Sequence, residues 1–284
     1  MSVQPAQKRR FKFDIGKWAL LIPLSLLAFS TIYPLIFTLN VALKNNRDYI
    51  VSRFALSLQP TLENFPRAWS HANMGTYFWN SFITTVGAVV LLGFVCSLAA
   101  YAIGTMRFRF RGLLFLIVLM GMMIPPQVIM VPLFKTVIDL HLLNTHIGLI
   151  LAYTAFAIPF GTFMLTAYYS NIPKEIIEAA KIDGASTWQI YFRIMIPLGK
   201  PALATQAIIN TLFAWNELLI PLLIMQKRDL RTVMVGVATL RGEHSADMPL
   251  LAAAIIVGVL PVLLVFLLFQ SRLTSGMTMG AVKS

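Results

Sequence analysis

The chain has little charge and almost no cysteine. Of its 284 residues only 12% are Asp, Glu, Lys or Arg, against 58% hydrophobic. Soluble domains carry about 25% charged residues, so that class is excluded, as are collagen, intrinsic disorder and a disulfide-rich secreted scaffold. The single cysteine, Cys96, sits in an apolar run and has no partner for an intrachain disulfide. It reads as a small buried hydrophobe without redox or metal work. No repeat of fixed period and no low-complexity tract divides the chain, which is expected to be one domain over 1–284. Mean hydropathy is +0.76. The remaining class is an integral membrane protein.

The few charges are crowded into short stretches, leaving 18–43, 68–106, 112–134, 147–173 and 248–271 without any, and 201–226 with Glu217 alone. A crossing helix needs about 20 apolar residues. The expected fold is therefore all-α and polytopic, with six spans near 18–43, 79–104, 113–134, 147–169, 201–225 and 248–270. The start of the 68–106 run (His71, Asn73, Gly75) is expected at the surface. Lys8-Arg9-Arg10 before an apolar run resembles a signal peptide. However, the run exceeds the 7–15-residue signal core and no small-x-small cleavage site follows, so it is expected to remain as the first span. Pro23, Pro34, Pro125, Pro126, Pro132, Pro159, Pro221 and Pro261 are expected mainly to kink their spans.

Net charge is +12, which raises nucleic-acid binding as a question of placement. With six spans, 14 of the 23 basic residues share the side of both termini and nine lie opposite. Basic residues accumulate on the cytoplasmic side. The charge excess thus places both termini in the cytoplasm and needs no nucleic acid. His71, His141, His146 and His244 all fall in outer loops. Apart from His141 and His146, no pair has ligand spacing with a third partner, so they read as solvated and no metal is expected. Trp69, Tyr77, Phe78 and Trp79 read as an interfacial belt.

The loop 170–200 carries the most information. Pro173 suits a first helical turn, Asp183-Gly184 ends that helix, and Ser186 with Gln189 forms a capping box for a second. Trp188, Tyr191, Phe192 and Met195 follow at helical spacing, and Pro197 and Pro201 are expected to close the segment. Two short helices with a bulky apolar face fit either a docking knob for a partner or an amphipathic pair lying on the bilayer. Spacing alone leaves the two equal.

The string Glu178-Ala179-Ala180, then Asp183-Gly184-Ala185, Phe192, Ile194-Met195-Ile196-Pro197-Leu198 and Pro201 resembles the EAA loop of ATP-binding-cassette importer permeases, in particular the carbohydrate branch typified by the smaller maltose permease. Trp215-Asn216-Glu217 with Pro221, and the tail Gly276-Met277-Thr278-Met279-Gly280-Ala281-Val282-Lys283, resemble that subunit too. The likeness covers the second half of the chain well, while the first 70 residues match only in topology. It implies a type I importer permease in the bacterial inner membrane. The implied partners are a second permease subunit, two ATPase subunits that bind ATP and Mg, and a periplasmic or lipid-anchored sugar-binding protein. Glu178, Ala179, Ala180, Asp183, Gly184, Ala185, Phe192 and Pro197 would couple to an ATPase, and Gly276, Thr278, Gly280 and Lys283 would touch the ATPase pair. The stretch 241–247 would face the binding protein. This chain holds no G-x-x-x-x-G-K-[ST] phosphate loop, so it is expected to be non-catalytic and without a cofactor of its own.

Glu217 is an ionisable group in an apolar stretch, roughly 6 Å from the middle of the expected fifth span. On a continuous helix Gln206, Asn210 and Glu217 fall within about 40° of one another, with Asn216 one step round. They would line a sugar path or bond a neighbouring helix, the first favoured for Asn210 and the second for Glu217. A different class, a proton-coupled secondary transporter, would use Glu217 as its relay. A receptor or scaffold has little in its favour.

Overall fold

The computed structural model describes residues 15–281 except 58, 71 and 244–246, with the side chains of 15–19, 241–243 and 270–281 also outside the description. Among the described residues the only regular structure is helical. In order it runs α1 (Ile15–Ala42), α2 (Asn46–Val51), α3 (Asn64–Ser70), α4 (Met74–Thr105), α5 (Arg111–Met120) extended by a 3₁₀ turn, and α6 (Pro126–Asp139). Then follow α7 (His146–Ser170), α8 (Lys174–Ile182), α9 (Thr187–Ile190), a π-turn (Tyr191–Met195), α10 (Ile196–Asn216), α11 (Leu219–Ile224), α12 (Val233–Glu243) and α13 (Met248–Ala281). The all-helical outcome follows from the solvent. In a hydrocarbon phase every backbone amide must find its partner within the segment.

Four helices are long and apolar enough to cross a membrane: Leu20–Ala42, Met74–Thr105, His146–Ser170 and Met248–Phe269. The second starts ahead of the expected residue 79, so Gly75 belongs to the helix. A Cβ there would lie 3.0 Å from the Trp69 indole, which makes it a packing glycine.

The expected third span, 113–134, is not one helix. Its two halves meet at 102°, and they make a fifth candidate only if counted together. The cause is local. Ile124 and Pro125 each precede a proline, which disfavours helical backbone, and both are extended, with ψ of 113° and 132°. Proline here breaks the helix where a kink was expected.

The expected fifth span, 201–225, also differs. Its helix begins at Ile196, leaves helical conformation at Glu217 (ψ 131°) and restarts at Leu219. It is not among the long apolar crossing helices. Gly199, Lys200, Gln206 and Asn210 dilute its apolar character.

The core is the α4–α7 pair, with α10 packed on both and on α13, while α1 leans chiefly on α13. At one end, Asn80 donates to the carbonyls of Asp229 (2.8 Å) and Arg231 (3.1 Å) and pairs with His146 Nε2 at 2.9 Å. Arg67 and Asp247 form an ion pair at the same end. His146 is thus a structural hydrogen-bonding group rather than a solvated one. His71 and His244 lie outside the described residues. The opposite end carries the loop 170–200.

Candidate coupling knob and polar seam

The segment after α7 folds by its own local chemistry. Asp183 caps α8, and Gly184 follows with φ +79°, a left-handed conformation that costs glycine nothing. The Gly184 amide donates to Lys181 O (3.1 Å) and the Ala185 amide to Ala180 O (2.9 Å). Those paired bonds close a Schellman turn. At Ser186 the capping box is complete, with Gln189 N donating to Ser186 Oγ (3.3 Å) and Ser186 N to Gln189 Oε1 (2.7 Å). The reversal is therefore held on both sides within seven residues.

Tertiary contacts then lock the knob to the bundle. The Tyr191 hydroxyl and Ser97 Oγ of α4 lie 2.6 Å apart, and Tyr101 of α4 donates to Thr187 O at 3.3 Å. The Tyr101 and Tyr191 rings are 5.6 Å apart. Burial pushes the Tyr191 phenol up, and the Ser97 hydrogen bond works against that shift. The group is a neutral hydroxyl at physiological pH.

The expected apolar face divides. Ile190, Tyr191 and Met195 are buried, whereas Trp188 (60% exposed) and Phe192 (56%) stack together on the outside, and Ile182 is also exposed. Ile177 anchors α8 inward, leaving Glu178, Ala179, Asp183 and Gly184 exposed and Ala180 and Ala185 half-buried.

Pro197 and Pro201 do not close the segment. The chain widens into a π-turn, where Ile196 N reaches back to Tyr191 O, and continues directly into α10. Pro197 occupies the first turn of that helix, where a missing amide costs little. The second knob helix, the π-turn and α10 follow one another without a break in helical conformation. Nothing in residue spacing signals a π-turn, and the Ser97 and Tyr101 contacts span some 90 residues, so sequence reasoning missed both. α10 also lies tight against α7. A Cβ on Gly199 would stand 2.5 Å from the Tyr169 ring, and Tyr168 donates to Leu198 O at 3.1 Å.

The four polar residues of α10 and its end do not form one stripe. Gln206 is 1% exposed, facing Gly161 and the Cys96 thiol, and its amide makes no hydrogen bond to nitrogen or oxygen among the described residues. Asn210 is buried too. It donates to Gln206 O (2.9 Å) and lines a small cleft with Leu92, Tyr153, Ala157 and Phe213. Asn216 is exposed and bonds back to Leu212 O. Glu217 is past the helix end, and its Oε1 accepts from the amides of Leu219 (2.8 Å) and Ile220 (3.3 Å), capping α11. Trp215 Nε1 donates to Gly258 O at 2.9 Å, pinning α10 to α13. The Trp-Asn-Glu triplet thus anchors, ends and restarts a helix.

Gly276, Thr278 and Gly280 continue α13 as helix, with their side chains outside the description, and Lys283 is outside the described residues. Among the described residues no group of three His, Cys, Asp or Glu side chains is placed to hold a metal.

Comparison with known proteins agrees with this geometry. Residues 90–278 match the family described as the inner-membrane component of binding-protein-dependent transport systems. The diacetylchitobiose uptake system permease of Streptomyces coelicolor is 36% identical, covering 89% of this chain and 84% of that protein. The melibiose/raffinose/stachyose import permease of Bacillus subtilis is also 36% identical, over 88% and 91%. Among solved structures, a bacterial ABC transporter involved in importing the acidic polysaccharide alginate has a chain of the same fold. Its TM-score is 0.80 at 24% identity, covering 94% of this chain and 99% of that one. Shared sequence across most of the chain and a shared fold place this protein in the family of binding-protein-dependent transport system inner-membrane components.

Proposed function

We propose that this chain is one pore-forming subunit of an ATP-driven importer for a sugar or sugar derivative, crossing the inner membrane six times with both termini in the cytoplasm. A second permease subunit completes the pore. Two ATPase subunits, which bind the ATP and Mg, dock on the 174–193 knob, and a binding protein delivers the sugar from outside. The observation that carries this reading is the knob itself. It is doubly capped, exposes Trp188, Phe192 and Ile182, and is continuous with α10, so a push on it is delivered to the helix carrying Gln206 and Asn210. A bilayer surface suits this face poorly. The 174–193 stretch sets Glu175, Glu178 and Asp183 against Lys174, Lys181 and Arg193, a balanced charge, whereas interfacial helices carry an excess of Lys and Arg. The sugar assignment rests on the relatives, whose names specify diacetylchitobiose and the melibiose, raffinose and stachyose group.

The test is uptake in cells carrying the complete transporter. Import should survive collapse of the membrane potential and stop on ATP depletion. The reverse pattern would favour a proton-coupled transporter built on Glu217. A panel of labelled oligosaccharides, offered with the cognate binding protein to the reconstituted complex, would then name the cargo through stimulated ATP hydrolysis.

A further inference from the structure

We propose that residues 106–112 are a docking site for the headgroups of anionic phospholipids. Arg107, Arg109 and Arg111 would take the phosphate oxygens, and Phe108 and Phe110 would lie in the boundary between headgroup and hydrocarbon. The segment reads Met-Arg-Phe-Arg-Phe-Arg-Gly and joins the end of α4 to the start of α5. It alternates a fixed cation with a large apolar ring through five residues. All five are exposed, Phe108 by 40% and Phe110 by 61%.

Two observations set this segment apart from an ordinary solvated turn. The first is the missing counter-charge. No Asp or Glu occurs anywhere between residues 64 and 138, and none of the three arginines enters an ion pair among the described residues, where Arg67 does. Arg111 Nη1 donates instead to Met106 O at 3.3 Å, closing the loop, and Arg109 Cζ stands 5.0 Å from the Phe110 ring centroid. Three guanidinium groups therefore keep most of their donors free, in a fork geometry that matches phosphate. The second is the surface next to it. α5 buries none of its residues and exposes Leu113, Leu114, Leu116 and Ile117. Within a bilayer such a face meets hydrocarbon wherever the second permease subunit does not cover it. The loop at its end then meets the next layer out, which is phosphate and glycerol. Water alone would leave two phenylalanines exposed for no gain, whereas aromatic rings and arginines together are favoured at that depth.

The test uses the assembled transporter, purified in mild detergent with phosphatidylglycerol and phosphatidylcholine in equal amounts, and counts retained lipids by native mass spectrometry. Wild type should keep phosphatidylglycerol in excess, and that excess should fall as salt rises toward 1 M, where the screening length drops to about 3 Å. Each arginine near a charged surface contributes on the order of fivefold, so Arg107→Gln/Arg109→Gln/Arg111→Gln should lower the excess by tenfold or more. Arg109→Gln alone, a change at an exposed side chain, should lower it several-fold and serves if the triple variant assembles poorly. Equal retention of the two lipids by wild type would overturn the proposal. So would an unchanged phosphatidylglycerol excess in the variants, or release of the ATPase subunits with lipid retention intact, which would make the loop a protein contact.

Discussion

Replacing Gly184 isolates the backbone term in the coupling knob. Its φ is +79°, and a Cβ built there meets nothing within 4 Å. A side chain at 184 therefore has room, and its whole cost is conformational, about 1–2 kcal/mol for an L-residue in the left-handed region. Asn tolerates that region best, Ala pays the ordinary amount, and β-branched Val pays most. The alternative to strain is to unwind the turn, which releases the amides of Gly184 and Ala185 from Lys181 and Ala180 and swings α9 away from its fixed angle. Either way, 1–2 kcal/mol changes the population of the correct knob by a factor of about 5–30. The assay is retention of ATPase subunits on tagged permease, together with substrate-stimulated ATP hydrolysis. Both should decline in the order Gly, Asn, Ala, Val, while insertion of the chain stays normal. Full coupling in Gly184→Val would refute the reasoning. A loss in Gly184→Asn as large as in Val would also refute it, because crowding against the partner would then be the cause.

Glu217→Gln should retain substantial ATP-driven uptake, since the amide oxygen can still accept from Leu219 and Ile220. Glu217→Ala should be worse, by about 1 kcal/mol of lost capping, and complete loss with Gln in an assembled complex would point to proton transfer. Gln206→Met removes a buried amide that has no nitrogen or oxygen partner among the described residues, a burden of about 1–3 kcal/mol. Thermal unfolding should shift upward while sugar uptake falls, and a downward shift would show that the amide has a partner after all. Deleting 276–284 shortens α13 beyond its apolar section, Met248–Phe269. Expression should be near normal and stimulated ATP hydrolysis should drop, and unaltered hydrolysis would remove the tail from the coupling path.

The residues whose structure depends on close neighbours were legible from the chain. Four of the five charge-free runs mark long apolar helices because hydrocarbon admits little else, and the fifth, 112–134, is broken at its paired prolines. Asp183-Gly184 and Ser186 with Gln189 specify the turn and the capping box through bonds that close within a few residues, and both formed as the spacing implied. The EAA pattern carries the family in the same way, as a contiguous string.

Tertiary structure decided the rest. The sequence treats 201–225 as one helix and Gln206, Asn210 and Glu217 as one stripe, because a fixed 100° step assumes that the helix persists. It ends at Asn216, and Glu217 is used to start the next one. Trp215 bonded to Gly258 holds the chain at that point, a contact across 43 residues that no local pattern encodes. Likewise, which of Trp188, Tyr191 and Phe192 faces outward depends on Ser97 and Tyr101 of α4 arriving beside the knob. Local bonds and solvent preference can be read along the chain, but the partner of a buried hydroxyl exists only once distant helices have packed.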